Sequence, residues 1–157
     1  TYCGQNIGAG EINRVRRGVL DALRIMLVYF VFTFLLIYPF ADEMMRMFVD
    51  GSEQAVVDNA AQFMRIANYF YPLLGVLTIL RYSIQGLGYS NLSMLSGVME
   101  MIARCGVSLW LVPALAFTGV CLGDPVAWVA ADVFLVPAFW LLYRHLKHTN
   151  KLNTINK

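Results

Sequence analysis

Four charged side chains lie inside long apolar runs of this sequence. Arg81, Glu100 and Arg104 belong to the stretch "LRYSIQGLGYSNLSMLSGVMEMIAR", and Asp132 belongs to "VAWVAADVFLVPAFW". If these runs cross a membrane, each charge costs on the order of 3 kcal/mol unless it meets a partner or water. Such residues are therefore candidates for ion pairs between helices, for proton exchange or for cation binding.

Arg81, Glu100 and Arg104 are expected to form one intramembrane charge cluster. Arg81 lies about as many residues before the Gly-Tyr-Ser-Asn turn as Glu100 lies after it. In two antiparallel helices that each rise ~1.5 Å per residue, the two side chains therefore reach about the same depth. Glu100 and Arg104 are four residues apart and share a helix face. The cluster has two interpretations. It either holds the hairpin together, or Glu100 exchanges a proton or cation.

Asp132 is a second candidate for ion or proton coupling. It lies about seven residues in from the outer end of its segment, which is a depth of about 10 Å in a helix that rises ~1.5 Å per residue. Counted back across the outer loop, its depth matches that of Leu111, so a direct pair with Arg104 is not expected. Two interpretations stay open for Asp132. It either binds a proton or cation, or it forms a hydrogen bond to a neighbouring helix or to water.

Membrane-spanning helices are the elements that must position these charges. Of the 157 residues, 59% are hydrophobic and 14% are charged, whereas about a quarter of an ordinary soluble domain is charged. A span needs ~20 mainly apolar residues, and four segments qualify. They are residues 19–40, 63–87, 92–117 and 126–143. The pattern predicts an all-α membrane protein with about four transmembrane helices and a tail over residues 144–157.

The basic residues of the connecting segments predict the orientation. They concentrate before the first span and after the last, at Arg14, Arg16, Arg17, Arg144, Lys147, Lys151 and Lys157. The loop between the first two spans instead carries mainly acids, namely Asp42, Glu43, Asp50, Glu53 and Asp58. The positive-inside rule therefore predicts a cytoplasmic C-terminus. Apolar residues at helical spacing also predict short interfacial helices on both sides of residues 50–52.

Several other classes of function find no support in the residues. A net charge of +2 gives no indication of nucleic-acid binding, and no nucleophile adjoins a base, so an enzyme is not expected. No group of residues has the spacing of a metal site, and no cofactor is expected. Asn68, Tyr71 and Gln85 are candidates for the wall of a substrate cavity, although such side chains also serve contacts between helices or with lipid.

Several motifs resemble those of one transporter family. "GQNIGAGEINRVRRG" resembles the cytoplasmic loop after the second helix of each lobe in multidrug and toxic compound extrusion (MATE) transporters, and "LRYSIQGLGYSN", "EMIAR" and "GDPVAWVAAD" resemble later helices of bacterial members. The resemblance implies the end of helix eight and helices nine to twelve of a twelve-helix fold. The implied partners are the missing N-terminal lobe and helix seven, membrane lipid, and organic cation or drug substrates.

The resemblance also implies an activity, which is efflux by alternating access, coupled to Na⁺ or H⁺, across the bacterial inner membrane. Some members place a carboxylate in the tenth helix. Here that region reads "YFYPLLGVLTIL", with Val76 near the expected position, so the cation site is not carried over. Two alternatives stay open, a lipid-linked substrate flippase of the same broader fold and a non-transporting membrane subunit or scaffold. A cavity rich in arginine would favour the flippase, whereas Glu100 and Asp132 argue against a scaffold.

Overall fold

The computed structural model describes residues 1–48 and 54–155, with side chains through Thr149. The described chain is helical and contains no strand. In chain order its helices are α1 (Tyr2–Gly8), α2 (Ile12–Arg46), α3 (Gln54–Gly86), α4 (Ser90–Gly106), α5 (Val112–Leu115), α6 (Phe117–Cys121) and α7 (Gly123–Ile155), and the π-helical turn Val107–Leu111 joins α4 to α5. Four helical segments of this part of the chain are long and apolar enough to cross a membrane, which confirms the predicted fold class.

The helices α2 and α3 run well beyond the predicted spans. They contain 35 and 33 residues, which corresponds to about 50 Å each. The expected separate interfacial helices are wrong as far as the described residues go, because residues 42–46 continue α2 and residues 54–66 continue α3. The helix α2 continues past Pro39 without a break, and α3 has no glycine or proline between Gln54 and the predicted start of its span. Residues 50–52 lie outside the described residues.

The buried core lies between α3 and α7. Leu80 and Ile84 of α3 belong to one buried cluster with Ala131 and Leu135 of α7. The start of α2 joins this cluster through Val19. Along their length α2 packs mainly on α3, and α4 packs mainly on α7. The two central helices therefore carry most of the buried apolar contact, which stabilises the bundle through packing.

The outward faces of α2 and α4 are strongly apolar. On α2, Val28 and Phe32 are exposed, and on α4 Met94 and Met101 are exposed. A water-soluble protein rarely leaves such a large contiguous apolar surface uncovered. These faces are suited to lipid hydrocarbon or to further helices.

The basic segments predicted to share one side of the membrane meet at one end of the bundle. Tyr143, near the end of α7, donates a hydrogen bond from its hydroxyl to Oδ1 of Asn13, near the start of α2, at 3.2 Å. The turn from α3 to α4 contains Gly88 with φ of 92°, a conformation that glycine adopts at little steric cost. At the other end, Arg65 of α3 forms an ion pair with Asp42 of α2.

The connection from α4 to α7 reverses in an unusual way. Pro113 lacks an N–H, and the helix widens into the π-helical turn just before it. The helix then ends at Ala116, which has φ of 49° and ψ of −127°. A Cβ atom on Gly119 would lie 2.6 Å from the carbonyl oxygen of Leu111. Since a continuous helix would hold these residues about 12 Å apart, α6 must fold back against the preceding helical turn.

Candidate ion and substrate sites

Glu100 lies between two arginines. The guanidinium of Arg81, on α3, forms an ion pair with one carboxylate oxygen of Glu100, on α4. Nη1 of Arg104 lies 3.6 Å from the other oxygen. Arg81 also donates from Nε to the hydroxyl of Ser96 at 3.0 Å, and that hydroxyl donates to the carbonyl of Ser93 at 2.7 Å. The structure thus brings together the three charges predicted to cluster, and it attaches α3 to α4 through them.

Arg104 has a further partner that sequence reasoning missed. Its Nε and Nη2 donate to Oδ1 of Asp124 at 3.2 and 3.0 Å. Asp124 lies in the first turn of α7, where a carboxylate also interacts favourably with the helix dipole. The Asp-Pro pair at this position signals a helix start, but it gives no indication of how deep that start lies. The ion pair between Arg104 and Asp124 connects α4 to α7.

Asp132 lies deeper than its predicted position, and the predicted match with Leu111 is wrong. Arg104 contacts Asp124, and Asp132 follows Asp124 by eight residues along α7, so an antiparallel α4 brings Ser96 to about the level of Asp132. Arg81 donates a hydrogen bond to Ser96, so its guanidinium group reaches the same level. The prediction assumed a simple reversal at the outer surface, whereas the fold-back of α6 lets α7 begin nearer the membrane centre.

Asp132 has no hydrogen-bond partner among the described residues. The residue is buried, and neither of its carboxylate oxygens has a donor. An ionised carboxylate in such a place is costly unless a proton, a cation or water reaches it. Asn68 on α3 is also fully buried, and its side-chain amide lacks partners within the same described part of the chain. Asn68 lies thirteen residues from Arg81, about 20 Å along α3, whereas Asp132 lies near the level of Arg81. Asn68 and Asp132 therefore do not form one site.

Gln85 lies far along α3 from the other two substrate-cavity candidates, Asn68 and Tyr71, which are one helical turn apart. Asn68 is buried, whereas Gln85 is exposed near the end of α3. Tyr71 is partly exposed, and its ring centroid lies 6.3 Å from that of Trp128 on α7. Tyr71 lines an apolar groove of about 660 Å³ between α2 and α3, and the aromatic walls of this groove include Tyr29 and Phe30.

Comparison with known families identifies the chain. The family model of MatE matches residues 1–110, which is more than two thirds of the 157 residues. The chain belongs to the MatE family. No curated protein and no solved structure matches it at a significant level. The resemblance noted from the sequence motifs is therefore confirmed.

Membership of the MatE family fixes the general class of function. MatE proteins are membrane transporters and not enzymes, in agreement with the four segments able to span a membrane. The matched residues include Arg81, Glu100 and Arg104, whereas Asp124 and Asp132 lie beyond residue 110. The candidate ion site of this MatE chain thus combines matched residues of α3 and α4 with unmatched residues of α7.

A second cavity of this MatE chain lies at the basic end of the bundle. It is a cleft of about 770 Å³ with α2 and α7 as walls and α3 as floor. Apolar side chains form most of its surface, and they are Val19, Leu20, Leu23, Val76, Leu80, Val136, Phe139 and Trp140. Four basic side chains line one end, namely Arg16, Arg144, Lys147 and His148. Sequence analysis missed this cleft, because its walls come from segments more than a hundred residues apart.

Proposed function

We propose that this chain is most of the C-terminal lobe of a cation-coupled efflux antiporter for organic cations and drugs, and that Asp132 binds the coupling ion. The observation that carries the proposal is the buried Asp132 carboxylate with both oxygens unpartnered among the described residues. A carboxylate offers hard oxygen ligands to Na⁺ and a basic site to H⁺, so either coupling ion suits it.

Asp132 is a better ion-binding residue than Glu100. Both oxygens of Glu100 already face guanidinium groups, from Arg81 and Arg104. A cation at Glu100 would have to displace one arginine and would meet the repulsion of the other. Asp132 presents free lone pairs instead. This contrast favours the structural interpretation of the Arg81–Glu100–Arg104 cluster.

The balance of charge also supports one monovalent ion. The network that joins α3, α4 and α7 contains two guanidinium groups, Arg81 and Arg104, and three carboxylates, Glu100, Asp124 and Asp132. When all are ionised, one negative charge is left over. In a medium of low dielectric constant that excess is unfavourable, and a single Na⁺ or H⁺ removes it.

Ion binding is coupled to helix packing through Arg81. With the ion bound at Asp132, Arg81 pairs with Glu100 and holds α3 against α4. When the ion leaves, Asp132 becomes a second anion that attracts Arg81 toward α7. The helix pair α3–α4 then loses part of its attachment while α3–α7 gains one. A two-state exchange of this kind gives the lobe different packing with and without the ion, which alternating access requires.

The aromatic groove between α2 and α3 is the proposed contact surface for substrate in this lobe. Tyr29, Phe30 and Tyr71 offer ring faces to an organic cation, and each such contact contributes about 0.5–2 kcal/mol. The remaining contacts come from an N-terminal lobe and from helix seven, because alternating access forms the substrate cavity between two lobes. We place the protein in a bacterial inner membrane with a cytoplasmic C-terminus, since its basic ends meet on one side.

Efflux by the full transporter in proteoliposomes tests the proposal. An imposed Na⁺ or pH gradient drives uptake or release of a fluorescent organic cation, and the driving ion is identified by changing one gradient at a time. Asp132→Asn keeps the size of the side chain but removes its charge. We expect this variant to lose gradient-driven transport while it still binds the dye, because the aromatic groove is unchanged.

Glu100→Gln and Asp124→Asn are matched controls, since each removes one carboxylate from the same network. Both should keep the ion dependence of transport, although their rates fall if the packing is weakened. Gradient-driven transport by Asp132→Asn equal to that of the wild type would refute the assignment of the ion site. Loss of ion dependence in Glu100→Gln alone would move the site to Glu100.

One observation favours a second candidate function, the flipping of a lipid-linked substrate. The cleft between α2 and α7 carries four basic side chains, which suits a phosphate-bearing head group. These basic side chains lie at one end, however, and the deeper Arg81 and Arg104 are paired with carboxylates. A flippase needs a basic path through the membrane. Translocation of a labelled lipid-linked phosphate in the same proteoliposomes, without dye transport, would favour the flippase.

A further inference from the structure

We infer that the cleft between α2, α3 and α7 holds one anionic phospholipid of the cytoplasmic leaflet, with its phosphate at the basic end and an acyl chain along the apolar walls. The site is separate from the network around Asp132. The inference does not depend on the transported substrate or on the coupling ion.

The charges of the cleft are complementary to a lipid phosphate. Arg16 approaches from α2, and Arg144, Lys147 and His148 approach from successive turns of α7. No carboxylate lines the cleft. In the part of the chain with described side chains, none of these four forms an ion pair with an acid. Basic groups close to the surface attract anionic lipid by about 1 kcal/mol each.

The size of the cleft fits one leaflet. Along α7 it extends from Val136 to His148, twelve residues or about 18 Å. Half of a ~30 Å hydrocarbon layer is about 15 Å, so the apolar walls match an acyl chain and the basic end reaches the head-group region. The volume of about 770 Å³ exceeds what a phosphate alone would fill.

Aromatic side chains mark the same depth. Trp140 and Tyr143 line the cleft next to its basic end, and such residues favour the membrane–water interface. The guanidinium of Arg144 lies 4.4 Å from the centre of the Trp140 ring, which holds it at the edge of the cleft. Tyr143 is held by its hydrogen bond to Asn13. The basic end is thus pre-arranged for a head group.

Native mass spectrometry of the purified full-length protein tests the inference. After removal of bound lipid in mild detergent, the protein is titrated with phosphatidylglycerol or with phosphatidylcholine, and bound lipid is counted. We expect phosphatidylglycerol to bind more tightly. Arg16→Gln should weaken phosphatidylglycerol about fivefold, and Arg16→Gln with Lys147→Gln roughly twenty-fivefold, with phosphatidylcholine little changed.

Arg17→Gln is the matched control, because Arg17 is the next residue of α2 and is exposed but does not line the cleft. It should bind phosphatidylglycerol like the wild type. Leu20→Trp fills the apolar part with the cations intact, and it should weaken both lipids. Equal binding of the two lipids by the wild type, or equal losses in the Arg16 and Arg17 variants, would overturn the inference and indicate that protein covers the cleft.

Discussion

Glu100→Gln is the substitution for which the structure gives the clearest energetic expectation. Its side chain is 11% exposed, and that of Arg81 is 26% exposed. Removing one member of a buried ion pair costs about 3–5 kcal/mol, because the other charge is left without compensation. Since Arg81 keeps its bond to Ser96 and some access to solvent, we expect a loss near the lower limit, about 3 kcal/mol.

Two comparison variants separate this effect from a general loss of packing. Arg104→Gln removes a side chain that is 46% exposed and lies 3.6 Å from Glu100, so it should cost at most about 1 kcal/mol. The double variant Arg81→Met with Glu100→Leu replaces both charges by apolar groups. It should come within about 1 kcal/mol of the wild type, because neither member of the Arg81–Glu100 pair is left facing the place of a lost partner.

Equilibrium unfolding of the full-length protein in mixed micelles, with increasing sodium dodecyl sulfate, measures these free energies. We expect the wild type, the double variant and Arg104→Gln to unfold within about 1 kcal/mol of one another, with Glu100→Gln clearly lowest. The single variants Arg81→Met and Glu100→Leu complete the cycle, and a double variant that loses the sum of their two losses would show that Arg81 and Glu100 act independently. That result would refute the ion pair as the attachment between α3 and α4.

Two further predictions concern the fold-back of α6. Gly119→Ala should lower the free energy of unfolding by about 1–3 kcal/mol in the same assay, because its Cβ would lie 2.6 Å from a backbone oxygen of Leu111 and the backbone must shift; unchanged stability would contradict the close approach. Ala116→Gly should raise the free energy of unfolding by up to about 1 kcal/mol, because glycine adopts φ of 49° without strain. A lower free energy of unfolding would contradict this expectation.

The α3–α4 hairpin was predictable because its turn is short. Only residues 87–89 separate the two helices, so the register on both sides follows from counting outward from a turn centred near Tyr89 and Ser90. That count matched the depth of Arg81 with that of Glu100, and helical periodicity added Arg104. The same logic fails where a connection contains its own helix, since the direction of that helix is not encoded in its hydrophobicity.

The substrate-cavity candidates stay predictions, and the structure does not gather all three at one place for a different reason. Asn68, Tyr71 and Gln85 were selected by residue type, and a polar or aromatic residue on a membrane helix can face a neighbouring helix, a groove or the outside. Their spacing already places Gln85 about 21 Å from Tyr71 along a straight helix. Residue type alone therefore identifies polar positions but not the cavity they line, which depends on how α2 packs on α3.

The short helix α6 determines which charges meet, and through them the charge of the site. Had α7 started at the outer surface, Asp132 would lie near Leu111, remote from the arginines, and Asp124 would not reach Arg104. The network would then hold Glu100 alone against two guanidinium groups, an excess of one positive charge. Because α6 folds back, α7 starts deeper, Asp124 reaches Arg104, and Asp132 comes within the field of Arg81. The network then contains one carboxylate more than its arginines neutralise. Under the proposed assignment of the coupling ion to Asp132, the need for one monovalent cation would come from this register and not from any single residue.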